Sequence, residues 1–321
     1  MQTASTQARE TTPIHSSHLT PTEAARRLDL IINARSGLAL HQPLADLARA
    51  YFLARGIQPQ VMVVQTAEEL HAAVRRSADS NSSIIVAAGG DGTISAVAAV
   101  AIETGKVLGV LPLGTFNYFA QRLGLPLESE KALSVIAGGR VQTVTVGDVN
   151  GHIFLNNSSI GLYPSVLRQR ESTYRRIGRS QMASYLSAAL ALARPPVPLT
   201  LDLAIDGVPL SRTSPLIFVG ANDRQLDAFG LQGTQCIESG LLAMFITQPL
   251  GIRRLWTLAL SGLIQGFRDS PHLETLCAAE AVVTTRRKRI RVAVDGEIVR
   301  LHSPLRYRSR PGALQVLIPA F

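Results

Sequence analysis

The sequence predicts an α/β N-terminal domain with a mostly parallel sheet, followed by a C-terminal antiparallel β-sandwich domain. Short apolar runs alternate with helical stretches from Leu28 to about Val146, which favours parallel strands joined by crossover helices. After Val141 the pattern changes to short β-like runs separated by Gly, Asn, Pro and Asp, which favours antiparallel strands. A chain of 321 residues with 46% hydrophobic residues is long enough for two such domains.

The domain limits follow from these changes in pattern. Residues 1–26 are rich in Thr, Ser, Gln and His and lack the apolar core of a signal peptide, so they predict a disordered leader. The α/β domain is expected at 27–146 and the β-sandwich domain at 147–321. Two helical insertions are expected in the second domain, near Ser180–Ala193 and Arg253–Phe267.

The elements of the first domain are predicted from hydrophobic period. Each strand is a short aliphatic run, and each helix has apolar residues at helical spacing. The predicted strands are Leu28–Ile32, Val61–Val64, Ile84–Ala88 and Val107–Leu111. The predicted helices are about Ala39–Arg55, Ala67–Ala78, Ile94–Thr104, Phe116–Leu123 and Glu128–Ala137. In a sheet of this kind, ligands bind at the carboxyl ends of the strands.

The second domain is predicted to consist mainly of short strands. Gly, Asn, Pro and Asp at their ends are typical of turns. The predicted strands are Thr143–Val149, His152–Asn157, Leu199–Ile205, Ser214–Gly220, Leu241–Ile246, Glu280–Thr285, Ile290–Val294 and Leu314–Ile318. Asp295 and Gly296 are expected to form a hairpin turn between Ile290–Val294 and Ile298–Leu301.

The charge balance indicates an anionic partner. The formal net charge is +9, and aromatic residues make up only 5% of the chain. A nucleic-acid surface usually interleaves aromatic and basic residues, so no nucleic-acid partner is expected and a lipid surface fits better. The cluster Arg286–Arg291 favours an anionic membrane, whereas Arg168–Arg179 fits a membrane contact and a solvated helix face equally well.

Cysteine usage and hydropathy predict a cytoplasmic protein that is soluble or peripheral to a membrane. Cys236 and Cys277 are too few for a disulfide framework or a Cys-rich metal site, and they are expected to be packed thiols. No apolar stretch reaches the length of a membrane span.

A glycine-rich turn between a strand and a helix is the strongest functional signal. Gly89, Gly90 and Gly92 would let backbone N–H groups approach a phosphate, and Thr93 is expected to open a helix whose dipole favours the same anion. Asp91 would repel a phosphate unless a divalent cation or a proton in transit lies between them, so the turn indicates phosphoryl transfer from a metal-bound nucleotide. An ordinary tight turn is the alternative.

Glycine, hydroxyl and amide residues recur at the ends of the other strands of the first domain. Their backbone N–H groups and short polar side chains can donate hydrogen bonds to a ligand at short distance, as the phosphates and ribose of a nucleotide require. For the hydroxyl residues, helix capping is an alternative role. The candidate residues are Asn33, Ser36, Gly37, Thr66, Gly114, Thr115 and Asn117.

These motifs, in this order, resemble the diacylglycerol kinase catalytic-domain family, which includes sphingosine and ceramide kinases and bacterial lipid kinases. The resemblance covers roughly residues 27–321. In the first domain, Asn33–Gly37 is similar to the family's N-P-x-S-G loop, Gly89–Thr93 is its G-G-D-G-T signature, and Pro112–Asn117 is similar to its P-x-G-T-x-N-D segment. In the second domain, Asp295–Glu297 is similar to the family's D-G-E, and Asn156–Tyr163 matches a segment that is common in bacterial members.

The resemblance implies an ATP-dependent lipid kinase. Such an enzyme transfers the γ-phosphoryl group to a hydroxyl of a diacylglycerol-like or sphingoid lipid, with ATP and Mg²⁺ between the two domains. Glu297 would be the general base, and Asp91 would orient Mg²⁺ or share the role of base. The candidates at the strand ends and Gly89–Thr93 would hold the nucleotide. From spacing alone, Asp-Gly-Glu is also an ordinary hairpin turn.

Three positions depart from the family pattern. Ala34 replaces the usual proline of the first loop, and Tyr118 stands where many members carry aspartate. Ser239 takes the place of an aspartate that helps to hold a structural Mg²⁺ in some bacterial members, so no such structural metal is expected.

Two other functions remain open from the sequence. An NAD kinase shares the glycine-aspartate signature, but those enzymes carry an Asn-Glu pair for the nicotinamide ribose and this chain contains no such dipeptide. A catalytically inactive nucleotide-binding module that recruits a partner to membranes is the second alternative, and the retention of Asp91 and Glu297 argues against it. The oligomeric state is open, with a homodimer as one option.

Overall fold

The computed structural model describes residues 27–36, 41–161, 198–249 and 273–320. Within these residues the predicted fold class is confirmed: an α/β part with a mostly parallel sheet precedes antiparallel strands. The predicted leader, Gly37, the cluster Arg168–Arg179 and both predicted helical insertions lie outside the described residues.

Four parallel strands form the sheet of the first part, in the order β2-β1-β3-β4. Every residue of β3 is buried, because helices cover both faces of the sheet. Helices α2 and α3 pack on one face, and α1 and α5 pack on the other. The strands are β1 (Arg27–Asn33), β2 (Gln58–Val64), β3 (Ile84–Gly89) and β4 (Val107–Pro112).

Seven helices are described, of which five belong to the first part. Their bounds are α1 (His41–Leu53), α2 (Ala67–Ala78), α3 (Asp91–Thr104), α4 (Tyr118–Arg122), α5 (Ser129–Gly138), α6 (Asp223–Phe229) and α7 (Thr234–Glu238). The short helices α6 and α7 were not predicted, since five to seven residues give little periodic signal.

The start of α3 differs from the prediction that Thr93 opens this helix. The helix begins at Asp91 and has Gly90 as its N-cap residue. Asp91 suits the first helical turn, where a carboxylate interacts favourably with the helix dipole. The sequence did not predict this start because Gly92 lies in the first turn of the helix and glycine is a poor helix former. The turn that precedes the helix is therefore shorter than expected.

The second part contains antiparallel strands, and its last strand returns to the first sheet. Its strands are β5 (Arg140–Val149), β6 (His152–Phe154), β7 (Asn157–Gly161), β8 (Leu199–Ile205), β9 (Val208–Ser214), β10 (Leu216–Gly220), β11 (Leu242–Thr247), β12 (Leu273–Ala278), β13 (Glu280–Thr285), β14 (Arg289–Val294), β15 (Glu297–His302) and β16 (Leu305–Ile318). Of these, β9 and β12 were not predicted; both lie at sheet edges, where polar residues weaken the apolar pattern. The predicted strand His152–Asn157 covers β6 and only the first residue of β7, and the predicted Leu314–Ile318 is only the end of β16.

Strand β16 joins the two parts into one 10-stranded sheet. It pairs in parallel with β4, where Val316 is opposite Leu108, and antiparallel with β5 and β13. The predicted division after residue 146 falls inside β5, so the domain limits stay a prediction. A 6-stranded sheet in the order β12-β11-β10-β7-β14-β15 packs against the antiparallel part of the 10-stranded sheet.

The two cysteines form a disulfide bond, so the prediction of packed thiols was wrong. The bond joins Cys236 of α7 to Cys277 of β12, with the Cα atoms 5.2 Å apart. The two residues are 41 positions apart in the chain, so only the packing of α7 beside the sheet edge brings them together. Disulfides are rare in the cytoplasm, and the cysteine count therefore gives no support to a cytoplasmic location.

No helix in the described part of the chain is both long and apolar enough to cross a bilayer.

Candidate functional site

The carboxyl ends of β1 and β3 meet the start of α3 at one edge of the 10-stranded sheet. Asn33 Nδ2 donates a hydrogen bond to Thr93 Oγ1 at 2.8 Å. The backbone N–H of Gly90 donates to Ser36 Oγ at 3.3 Å. The structure thus brings together four residues that the sequence singled out at the ends of two different strands.

The glycines of this edge allow two loops to touch. A Cβ on Gly114 would lie 2.6 Å from the Cα of Gly90 and 2.7 Å from Asn117 Oδ1. A Cβ on Gly89 would lie 2.6 Å from the side chain of Thr93. Only hydrogen fits at these distances, which explains the glycines by close approach of the backbone.

Asn117 holds the loop after β4 in shape. Its backbone is left-handed, with φ of 53°. Its Oδ1 accepts from the N–H of Gly114 and its Nδ2 donates to the carbonyl of the same residue, both at 2.9 Å. Because the amide is buried and bonded inside the loop, Asn117 positions the backbone here, and its contact with a nucleotide stays a prediction.

The N-terminus of α3 offers an anion site. Gly90 has no side chain to cap the helix, and the N–H groups of Asp91 and Gly92 have no acceptor among the described residues. A Cβ on Gly92 would meet no atom within 4 Å, so the space above this residue is open. Free N–H groups, the helix dipole and open space together fit a phosphate.

The carboxylate of Asp91 lies between α4 and the second part of the chain. Its Oδ1 accepts from the backbone N–H of Phe119 at 3.2 Å, and its Oδ2 accepts from that of Tyr118 at 3.4 Å. Asn156 Nδ2 donates to Oδ1 at 3.4 Å. Asp91 therefore caps α4, while its backbone belongs to the anion site.

Asp295 connects α3 to the 6-stranded sheet. Its Oδ2 accepts from Ser95 Oγ at 2.6 Å and from the N–H of Leu155 at 2.7 Å. Its Oδ1 accepts from the N–H groups of Asn156 and Asn157, both at 2.9 Å. Burial raises the pKa of the Asp295 carboxyl, and the four hydrogen bonds act in the opposite direction. This carboxylate fixes the β14–β15 hairpin on α3.

Glu297 directly follows the turn of the same hairpin. The turn has positive φ at Asp295 (44°) and Gly296 (89°), as the predicted Asp-Gly hairpin requires. Glu297 is exposed and is the first residue of β15. By the alternation of a strand it shares a face with Val299 and Leu301, which point toward the 10-stranded sheet. Glu297 therefore emerges at the end of the sandwich that is docked on α3.

Thr66 and Thr115, which were predicted to bind the nucleotide, are both exposed in the structure. Thr66 is exposed and caps α2: its side chain accepts from the N–H of Glu69 at 3.1 Å. Glu69 in turn accepts from the N–H of Gln65, the residue before the cap. Thr115 is exposed, and the cap of α4 comes from Asp91 instead. For both residues, contact with a nucleotide stays a prediction.

Sequence reasoning did not single out the polar network behind the site. Asn156 Oδ1 accepts from Asn222 Nδ2 at 2.7 Å, and Asn157 Nδ2 donates to Gln225 Oε1 at 2.7 Å. All four side chains are buried, so they link β7 to α6 in the interior. The signal in the sequence was the polar run Asn156–Ser159 at the start of a buried strand, because buried polar side chains usually have hydrogen-bond partners.

Residues 27–149 match the model of the diacylglycerol kinase catalytic domain. The predicted family resemblance is confirmed. The matched residues contain the whole anion site, from Asn33 to Asn117. Asp295 and Glu297 come from the part of the chain beyond it.

Similar proteins carry lipid kinase names. The Pseudomonas syringae protein named "Probable lipid kinase YegS-like" is 28% identical over 92% of this chain and 94% of its own length. The diacylglycerol kinase of Bacillus subtilis is 31% identical, but the match spans only 41% of this chain and 44% of that protein. A crystal structure titled as a diacylglycerol kinase from Bacillus anthracis has a TM-score of 0.66 at 17% identity, over 91% of this chain and 97% of that one, and supports the fold.

Replacing Gly92 by Ala tests the anion site. The new methyl group meets no protein atom and alanine favours the helix, so we expect stability to be unchanged or slightly higher. Because the methyl group occupies the open space, we expect the Kd for ATP, measured by calorimetry, to rise about 10- to 100-fold. Gly138→Ala in α5 is the matched control, since its Cβ also meets no atom. Equal ATP affinity in both variants would contradict the site.

Replacing Asp295 by Asn tests its buried carboxyl. The pKa of Asp295 is raised by burial, so the folded state holds this proton more tightly than the unfolded state does. The free energy of unfolding should therefore fall as pH rises from the unfolded pKa, about 3.9, through the folded pKa. Urea titrations across this interval should show the fall in the parent protein and not in Asp295→Asn.

Asp46→Asn, at an exposed site on α1, should keep the pH dependence of the parent protein. Parallel curves for the parent and Asp295→Asn would contradict the assignment to Asp295.

Proposed function

We propose that this protein is a lipid kinase that transfers the γ-phosphoryl group of ATP to a hydroxyl of a diacylglycerol-like or sphingoid lipid. The observation that carries the proposal is the open N-terminus of α3 beside Asp91, with the hairpin of Glu297 fixed to the same helix through Asp295 and Ser95. A phosphate site and a candidate base thus meet at one helix. The diacylglycerol kinase-like family of the chain supports this chemistry.

In this proposal the residues at the strand ends bind the nucleotide. The N–H groups of Asp91 and Gly92 donate to the phosphates, and the helix dipole of α3 stabilises their charge. Ser36 and Asn33 hold the turn in shape through Gly90 and Thr93. Preorganised donors of this kind lower the barrier because they need no rearrangement during the reaction.

The metal proposed here is Mg²⁺, held by one carboxylate. No group of three or more His, Cys, Asp or Glu side chains in the described part of the chain could hold a metal on its own. Kinase Mg²⁺ ions commonly bind one or two carboxylates together with substrate phosphates, and Asp91 would be that carboxylate. When bound, Mg²⁺ would neutralise charge that develops on the transferred phosphoryl group.

Glu297 is proposed as the general base. It would accept the proton of the lipid hydroxyl as the oxygen attacks the phosphorus atom. Its exposed position at the end of the sandwich leaves it accessible to a lipid. Asp295 does not share this task, because its oxygens already accept four hydrogen bonds; it positions the hairpin.

The decisive experiment measures transfer of labelled phosphate from ATP and Mg²⁺ to a panel of lipids in mixed micelles, with NAD in a parallel tube. A labelled lipid would support the kinase and identify the acceptor. Label in NAD alone would overturn the lipid assignment, and binding of ATP without transfer to any acceptor would favour an inactive module. We place this activity at a membrane surface, whose anionic lipids attract basic proteins. A cytoplasmic location stays a prediction that the disulfide does not favour.

A homodimer is a separate proposal, which the mass of the protein in solution tests.

A further inference from the structure

Exposed cations cover the outer side of the β14–β15 hairpin and the connection between β13 and β14 that leads into it. They are Arg286, Arg287, Lys288, Arg289, Arg291 and Arg300, all exposed, and are called the hairpin patch below. Within the described residues, none of the six has an Asp or Glu at salt-bridge distance. Arg289 Nε contacts instead His302 Nε2 at 3.2 Å. The hairpin patch is therefore a surface of uncompensated positive charge.

The register of the hairpin sets like charges opposite each other. Arg291 of β14 pairs directly with Arg300 of β15, and Arg289 pairs with His302. Like charges at directly opposite positions destabilise a sheet. Two other arginines of the sandwich are compensated: Arg212 pairs with Glu274 at 2.9 Å, and Arg308 contacts Glu280 at 3.4 Å. The unpaired arginines of the hairpin thus need an explanation.

Protection of a sheet edge explains only part of this arrangement. Charged residues on an edge strand prevent pairing with other chains, and β15 is an edge strand. Strand β14, however, lies between β7 and β15, so Arg289 and Arg291 protect no edge. A partner with many negative charges accounts for both strands, because it would remove the repulsion on binding.

We propose that the hairpin patch docks on the anionic headgroups of a lipid bilayer; the choice of a lipid surface rests on the proposed function. Arg300 is three residues from Glu297 on β15, which is about 10 Å along a strand. Because residues three positions apart project from opposite faces of a strand, docking through Arg300 would hold the candidate base about 10 Å along β15 and leave its carboxylate on the face away from the docked surface. No Phe, Tyr or Trp occurs from Arg286 to His302, so bases of a nucleic acid would find nothing to stack on.

The test compares two double variants of the full chain in a vesicle sedimentation assay without ATP. Arg291→Gln/Arg300→Gln should lower partitioning onto vesicles of equal parts phosphatidylcholine and phosphatidylglycerol about 30-fold, from the attraction of two charges. Arg75→Gln/Arg76→Gln changes the net charge equally on α2, a helix outside the hairpin patch, and should bind as the parent protein does. Vesicles of phosphatidylcholine alone should bind none of the three proteins.

Stability separates a docking role from a structural one. Because Arg291→Gln/Arg300→Gln removes a repulsive pair, its urea midpoint should equal or exceed that of the parent protein. Unchanged vesicle binding, an equal loss in the control on α2, or equally tight binding to single-stranded RNA would overturn the proposal. The vesicle assay contains no ATP and measures binding alone, so a negative result there does not argue against the proposed kinase activity. In the same way, an absence of kinase activity would not argue against docking by the hairpin patch.

Discussion

Replacing Glu297 by Gln is expected to lower kcat for lipid phosphorylation about 10²- to 10⁴-fold, the range typical of a lost general base. The amide keeps the size of the side chain but cannot accept the proton of the hydroxyl. The KM for ATP should stay unchanged, because Glu297 lies on β15 and the nucleotide is proposed to bind at α3. Initial rates over a range of ATP and lipid concentrations measure both constants.

Stability provides the control for this variant. Glu297 is exposed, so its replacement should change the free energy of unfolding by no more than about 0.5 kcal/mol. Glu130→Gln, an exposed carboxylate on α5, should leave both kcat and stability unchanged. A Glu297→Gln protein with the kcat of the parent would refute the role of Glu297 as the base.

Replacing Asp91 by Asn is expected to reduce lipid phosphorylation at least about 10²-fold, a loss of the size seen when one electrostatic group is removed from an active site. The neutral amide would hold Mg²⁺ poorly, so saturation should need more of this ion. The change should also cost about 1 kcal/mol of stability, because the carboxylate caps α4 at Tyr118 and Phe119. Phosphate transfer against Mg²⁺ concentration and urea unfolding measure the two effects.

The matched control for Asp91 is a variant that is destabilised elsewhere. Ala72→Gly, at an exposed position inside α2, should cost about 1 kcal/mol and leave phosphorylation intact. If Ala72→Gly lost as much activity as Asp91→Asn, the effect of Asp91 would be one of stability alone.

The sequence predicted the glycine turn and the strand ends of the candidate site well, because their signals are local. Gly89 and Gly90 follow a buried run, and any parallel sheet collects the ends of its strands at one edge. The contact of Asp91 with α4 could not be predicted from the sequence, because nothing in the local pattern indicates which helix a carboxylate will cap. Asp295 was expected only as a turn residue, and its bond to Ser95 spans 200 positions of the chain.

The amino-acid sequence by itself determined the fold class, most of the strands and the order of the motifs. These depend on hydrophobic period and turn residues, which act over a few positions. Only the tertiary structure decided that β16 joins both parts into one sheet, that Cys236 bonds to Cys277, and that like charges face each other on the hairpin. Each of these depends on strand order and register, which are set by packing between residues distant in the chain.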